Sequence, residues 1–157
     1  MSSPESNRQQ RIREVQSIDF DHVAARCRDL DRVFMDELVK RLTELGYADF
    51  PPSSTNILFS LDPEGTSLAL LAERLEISKQ AVSQMTKELV QRGYAELQAN
   101  PKDGRSKLVR HTDKGLSFME AIFRVKFHLQ QELTEAIGTE AMAQLEINLI
   151  TMTDYLK

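Results

Sequence analysis

Apolar residues recur every third or fourth position over two long stretches of this chain, and only one short stretch between them alternates like a strand pair. Residues 17–46 place Phe20, Val23, Ala24, Cys27, Leu30, Phe34, Leu38, Leu42 and Leu45 on one side. Arg26, Arg28, Asp31, Arg32 and Lys40 fill the other, and Gly46 is a natural stop. A helix of that length spans about 40 Å. That is long for a small domain, so part of its stripe is expected to meet another subunit. From Thr112 the period returns with Leu116, Met119, Ile122, Phe123, Phe127, Leu133 and Ile137. After Gly138-Thr139 a last helix carries Met142, Leu145, Leu149, Met152 and Leu156. Residues 94–99 and 106–111 read as two short strands joined by the turn-rich tip Asn100-Pro101-Lys102-Asp103-Gly104-Arg105. The fold class expected is mainly α with a small β-hairpin.

The middle of the chain is cut into short pieces. Pro51-Pro52 breaks the backbone, Ser53 and Ser54 can cap a short helix ending near Leu61, and Asp62-Pro63-Glu64-Gly65 is a turn. Ser67 then caps a helix over residues 68–75, and Ser78 caps another that runs to Arg92 and stops at Gly93. Two short helices joined by a tight turn are a helix-turn-helix. In the second of them Val82, Met85 and Leu89 face inward. Ser78, Lys79, Gln80, Ser83, Gln84 and Lys87 face outward, opposed by one acid, Glu88. These side chains can hydrogen-bond to base edges and phosphates, and the small Ser83 permits close approach to a groove floor.

Taken alone, that face also reads as a solvated helix surface, and the hairpin alone as an ordinary polar turn. Their order separates the readings. A two-stranded ribbon directly after the second helix is the wing of a winged helix-turn-helix, and its tip holds Lys102, Arg105 and Lys107. An arginine at a wing tip suits a narrow minor groove, where the negative potential is enhanced. Asp103, two residues earlier, can orient that guanidinium through charge-assisted hydrogen bonds.

Leu71-Ala72-Glu73-Arg74-Leu75, then residues 78–85, Arg92-Gly93-Tyr94, Asp103-Gly104-Arg105-Ser106 and Thr112-Asp113-Lys114-Gly115 together resemble the MarR family of bacterial transcriptional regulators. These motifs lie within residues 66–115; the flanking helices match in pattern only. The resemblance implies a homodimer of winged helices on a double-stranded, pseudo-palindromic DNA operator, acting as a repressor and answering to a small-molecule effector; the cytoplasm is expected because no signal-type apolar stretch follows Arg8, Arg11 and Arg13. It would place residues 78–87 in the major groove and Arg105 in the minor groove, steadied by Asp103. Residues 17–46 and 113–157 become dimerisation helices around a winged helix at 53–112. All belong to one domain, 17–157, behind a polar segment, 1–16, that reads as a flexible arm or the frayed start of a helix. The effector would lie between the dimer helices and the winged domain, near some of Phe118, Phe123, Phe127, Met119 and Met142, with Phe50, Tyr47 or Arg26. Three positions depart from the family pattern. Glu76 replaces a common turn glycine, which puts the turn geometry at issue. Leu97-Gln98 replace basic residues, and His111 replaces an apolar one, leaving a polar side chain near the hinge.

Composition narrows the remaining choices. No apolar run approaches the roughly 20 residues of a membrane span, and one cysteine excludes an internal disulfide. Cys27 lies on the apolar side of its helix with no Lys, Arg or His on that face to lower its pKa, so it reads as an inert core residue. His22, His111 and His128 lack metal-ligand spacing and read as surface residues. No phosphate loop, catalytic triad order or dinucleotide fingerprint is present, so neither a cofactor nor an enzyme is expected. The alternative to a DNA-binding regulator is a winged helix that docks on protein.

The net charge of −4 argues at first against nucleic acid. Its distribution argues the other way. Residues 79–114 hold eight Lys/Arg against four Asp/Glu, which leaves −8 on the other 121 residues. The basic charge is gathered in the segment that would face phosphates.

Overall fold

The computed structural model describes the backbone of residues 4–16, 22–101 and 103–157 and, within these, side chains other than those of residues 4, 6, 16 and 103–105. Phe20 and Lys102 therefore lie outside the described residues, as do the side chains of Asp103 and Arg105. The chain divides into two compact units, Met1–Glu37 and Leu38–Lys157.

The first unit holds α1 (Pro4–Gln16) and the opening of α2 (Val23–Leu42). Residues 4–16, expected as an arm, are helical, with Ile12 and Val15 exposed. The long first helix is shorter than its periodicity suggested. It begins at Val23 and yields to a wider turn, Thr43–Tyr47, where Gly46 takes φ +93°. Cys27 and Leu30 are exposed, so the core assignment of Cys27 does not hold in the protomer. The apolar stripe is buried only from Leu38 onward.

The second unit continues with α3 (Thr55–Phe59), β1 (Thr66–Ser67), α4 (Leu68–Arg74), α5 (Lys79–Gln91), β2 (Ala95–Asn100), β3 (Asp103–His111), α6 (Asp113–Ile137) and α7 (Thr139–Tyr155). The strands form one antiparallel sheet in the order β1-β3-β2. Ala95 pairs with His111 and Ala99 with Lys107; the register then shifts, and Asn100 pairs with Asp103. The hairpin is tighter than its sequence implied, because residues 103–105 extend β3 and do not form an open tip. Ile57, Leu58, Leu71, Val82, Leu89, Tyr94, Val109 and Phe118 are the fully buried heart of this unit.

Three hydroxyl caps set the helix starts. Ser67 Oγ accepts from the Leu70 amide at 3.2 Å, Ser78 Oγ from Ala81 at 3.1 Å and Thr112 Oγ1 from Gly115 at 3.0 Å. Each such cap contributes about 1 kcal/mol. The helix ends are also matched. After α4 the Ile77 amide bonds to Ala72 O (3.2 Å) and Glu76 to Glu73 O (3.3 Å); after α5 Tyr94 bonds to Leu89 O (2.9 Å) and Gly93 to Val90 O (3.1 Å). Both are Schellman motifs, which require a left-handed residue one place beyond the cap. Gly93 provides it at φ +76°, and Glu76 does so at φ +53°. Glu76 thus keeps the turn a glycine would make, at the steric cost of a Cβ.

That contrast yields a paired expectation. Glu76→Gly should raise stability by about 1 kcal/mol, and Gly93→Ala, where no neighbour lies within 4 Å of the added Cβ, should lower it by about 1 kcal/mol. Thermal melting followed by circular dichroism reads both.

Candidate nucleic-acid interface

Helix α5 separates its chemistry by face. Val82, Thr86 and Leu89 are buried and Met85 is half-buried, so the helix is anchored along one side. Ser78, Lys79, Gln80, Ser83, Gln84 and Lys87 are all exposed. At 100° per residue, residues 79–87 of this set fall within an arc of about 140°. The polar face expected from sequence is therefore one continuous strip. Lys107 on β3 is exposed as well.

The helix before it is fixed by charge. Arg74 makes a two-pronged contact with Asp62, at 3.0 and 2.9 Å, and donates to Ser60 O at 2.9 Å. Asp62 also accepts from the Thr66 hydroxyl at 3.2 Å. The Arg74 bond, aided by that from Thr66, holds the Asp62 carboxyl below its ordinary pKa against the opposing effect of burial.

The wing is rooted in the core. His111 Nε2 lies 2.9 Å from Leu58 O, so this histidine is half-buried and partnered, not a surface residue. Arg110 donates to Gln98 Oε1 at 2.7 Å. Gln98, which stands where the family pattern has a basic residue, thereby fixes a cation on the next strand.

A second cluster, not anticipated from sequence, joins the end of α5, the wing and the start of α6. Asp49 Oδ1 accepts from the Tyr94 hydroxyl at 2.5 Å and Oδ2 from Lys114 Nζ at 2.7 Å. Lys114 Nζ also donates to Arg92 O at 2.9 Å and lies 4.1 Å from the centre of the Tyr94 ring. Arg92 donates to Asp49 O and, at 2.6 Å, to Glu88. The bond from Lys114, then that from Tyr94, lowers the Asp49 pKa; burial, reinforced by the Asp49 bond, raises that of Tyr94. The signal available in the sequence was the pair Arg92-Gly93-Tyr94 and Thr112-x-Lys114-Gly115, which the family pattern contains. Asp49 carried none.

Beneath this cluster Phe50 stacks on Phe118 at 3.7 Å and meets Tyr94 edge-on at 4.9 Å. Tyr47 packs edge-on against Phe118 at 5.2 Å. Phe50 and Phe118 are therefore core residues. Phe123 and Phe127, expected as mostly core, are each 61% exposed. One cleft of about 330 Å³ is lined by Leu61, Pro63, Arg110, His111 and Leu116. None of the residues suggested for an effector pocket lines it. Among the described residues no group of His, Cys, Asp and Glu could hold a metal ion, and no helix is long and apolar enough to cross a membrane.

Residues 48–106 match the sequence model of the MarR family. Solved structures share the fold. S. aureus MepR in complex with DNA superimposes with a TM-score of 0.66 at 17% identity, over 88% of this chain and 100% of that one. YusO from Bacillus subtilis gives 0.69 at 19%, over 98% and 99%. A cysteine-to-serine variant of MarR from E. coli gives 0.56 at 26%, over 80% and 94%. No curated protein sequence matches the chain.

Asp49 and Asp62 both have lowered pKa values, so the stability they confer is complete above the ordinary carboxylate value of 3.8 and disappears as pH falls through the lowered values. The melting temperature should drop below about pH 4, and an Asp49→Asn/Asp62→Asn variant should show a smaller drop. An equal drop in both proteins would place the acid sensitivity elsewhere.

Proposed function

We propose that the chain, whose residues 48–106 match the MarR family model, is a MarR-type sequence-specific DNA-binding regulator of transcription, working in the cytoplasm as a homodimer. The observation that carries this reading is the two-faced α5. Its buried side is apolar apart from Thr86, and Ser78, Lys79, Gln80, Ser83, Gln84 and Lys87, expected to reach DNA, are all exposed. Hydrogen-bonding side chains of this kind, two lysines among them, suit base edges flanked by phosphates. Arg105, supported by Asp103, would enter the adjacent minor groove, while Lys102 and Lys107 meet phosphates along its rim. In this reading the protein performs no catalysis.

The homodimer reading is supported by what the protomer leaves uncovered. Phe123, Phe127 and Ile137 on α6 and Ile147 and Ile150 on α7 are all about half exposed or more. So much apolar surface on long helices marks an interface, and a second copy gives the two-fold symmetry that a pseudo-palindromic operator mirrors. Half-sites about one helical turn apart can be engaged together only at one spacing of the two α5 helices. A small molecule that alters this spacing would release the operator, which makes the protein a ligand-responsive repressor. A protein-docking winged helix is disfavoured by the concentration of basic charge in residues 79–114.

Selection of bound duplexes from a random-sequence pool tests the reading directly. A two-fold symmetric consensus is expected, and recovery of no preferred sequence would contradict it. On the selected duplex Arg105→Ala should weaken binding by about 1–3 kcal/mol without loss of fold. Affinity should also fall steeply with salt, as counterions return to the phosphates. A flat salt response would point to a protein partner instead.

A further inference from the structure

We propose that Asp49 is a positioning residue for DNA binding: through Lys114, Arg92 and Tyr94 it sets the angle at which α5 and the wing are presented together. The inference rests on the regulator reading above and adds a residue outside the helix-turn-helix and the wing.

The geometry is that of a strut at a shared root. Arg92 caps the C-terminal end of α5, Tyr94 leads directly into β2, and Lys114 stands in the first turn of α6, just after β3 has ended. The two strands of the wing therefore enter and leave within a few residues of the point where α5 stops. Asp49 comes from the connection after α2 and binds all three. Its carboxylate accepts from Tyr94 at 2.5 Å and from Lys114 at 2.7 Å, and its carbonyl accepts from Arg92. The gap is closed from the other side by Lys114, which reaches Arg92 O at 2.9 Å, and by Thr112, whose hydroxyl donates to Gly93 O at 2.6 Å.

Close packing makes this root a fulcrum. A Cβ on Gly115 would lie 2.1 Å from Tyr94 O, so α6 touches the backbone between α5 and β2 and no side chain separates them. Small rotations there swing the wing and α5 relative to one another. A half-exposed ion pair alone adds little to stability. A carboxylate that fixes Tyr94 and Lys114 around a fulcrum, beside a main-chain carbonyl that holds Arg92, instead limits which rotations are sampled. Simultaneous engagement of a major groove and the neighbouring minor groove requires one such rotation, and holding it in advance lowers the ordering cost of binding.

The test is a double-mutant cycle in the full chain, on the duplex that the wild-type protein selects from a random-sequence pool. Asp49→Asn keeps the shape and an acceptor for Tyr94 but removes the charge that holds Lys114. It should weaken binding about tenfold in the otherwise wild-type chain and by less than about twofold in the Arg105→Ala background. Once the wing contact is gone, the angle between wing and helix no longer matters. A residue serving only general stability would weaken both backgrounds equally, and that additivity would overturn the proposal. Lys114→Met, which severs the pair from its other end, should reproduce the coupling. Both variants unfolded at the assay temperature by circular dichroism would also overturn it, since the contact would then serve the fold. A wild-type chain that selects no duplex refutes the regulator reading itself, and a wild-type chain that binds while the cycle is additive refutes this inference alone.

Discussion

The approach of α6 to the backbone of Tyr94 is the constraint on which the winged helix depends. Gly115 is the first buried residue of α6, and any side chain there would collide with the Tyr94 carbonyl. Because the two backbones touch, the Tyr94 ring is driven into the core against Phe50 and Phe118, and its hydroxyl emerges where Asp49 receives it. The end of α5, the root of the wing and the start of α6 share this one point. Elsewhere the unit is held by hydroxyl caps, two Schellman motifs, the Arg74–Asp62 fork and the longer-range contacts of Arg41 with Glu132 and of His111 with Leu58 O.

Much of the helix-turn-helix was legible from single residues. Ser67, Ser78 and Thr112 announced their helices because a cap is a local event: one hydroxyl, one amide, three residues apart. The outward strip of α5 followed from its period in the same way. Glu76 was harder. Its identity argued for a changed turn, yet the Schellman bonds of Ile77 and Glu76 hold it at φ +53°, because the hydrogen bonds of the turn outweigh the cost of one left-handed residue.

What sequence could not supply were the contacts made across distance. Asp49 sits 45 residues from Tyr94 and 65 from Lys114, and nothing local to Asp49 distinguishes it from a loop aspartate. The burial of the long helices was misjudged for a related reason. Apolar periodicity records which face of a helix is apolar, not whether the protomer itself covers that face. Cys27, Phe123 and Phe127 are exposed, although their spacing reads as core. The wing was shorter at its tip than expected because Asn100, whose amide donates to Ser106 Oγ at 2.9 Å, lets β3 begin at Asp103.

In the proposed regulator, α5 and the wing of each of two copies engage adjacent grooves of the same duplex. Hydroxyl-radical footprinting of the complex reports this directly. It should show, in each half-site, protection of backbone flanking a major groove and the next minor groove, repeated symmetrically about one helical turn apart. Protection confined to a single unsymmetric patch, or spread evenly along the duplex, would contradict it.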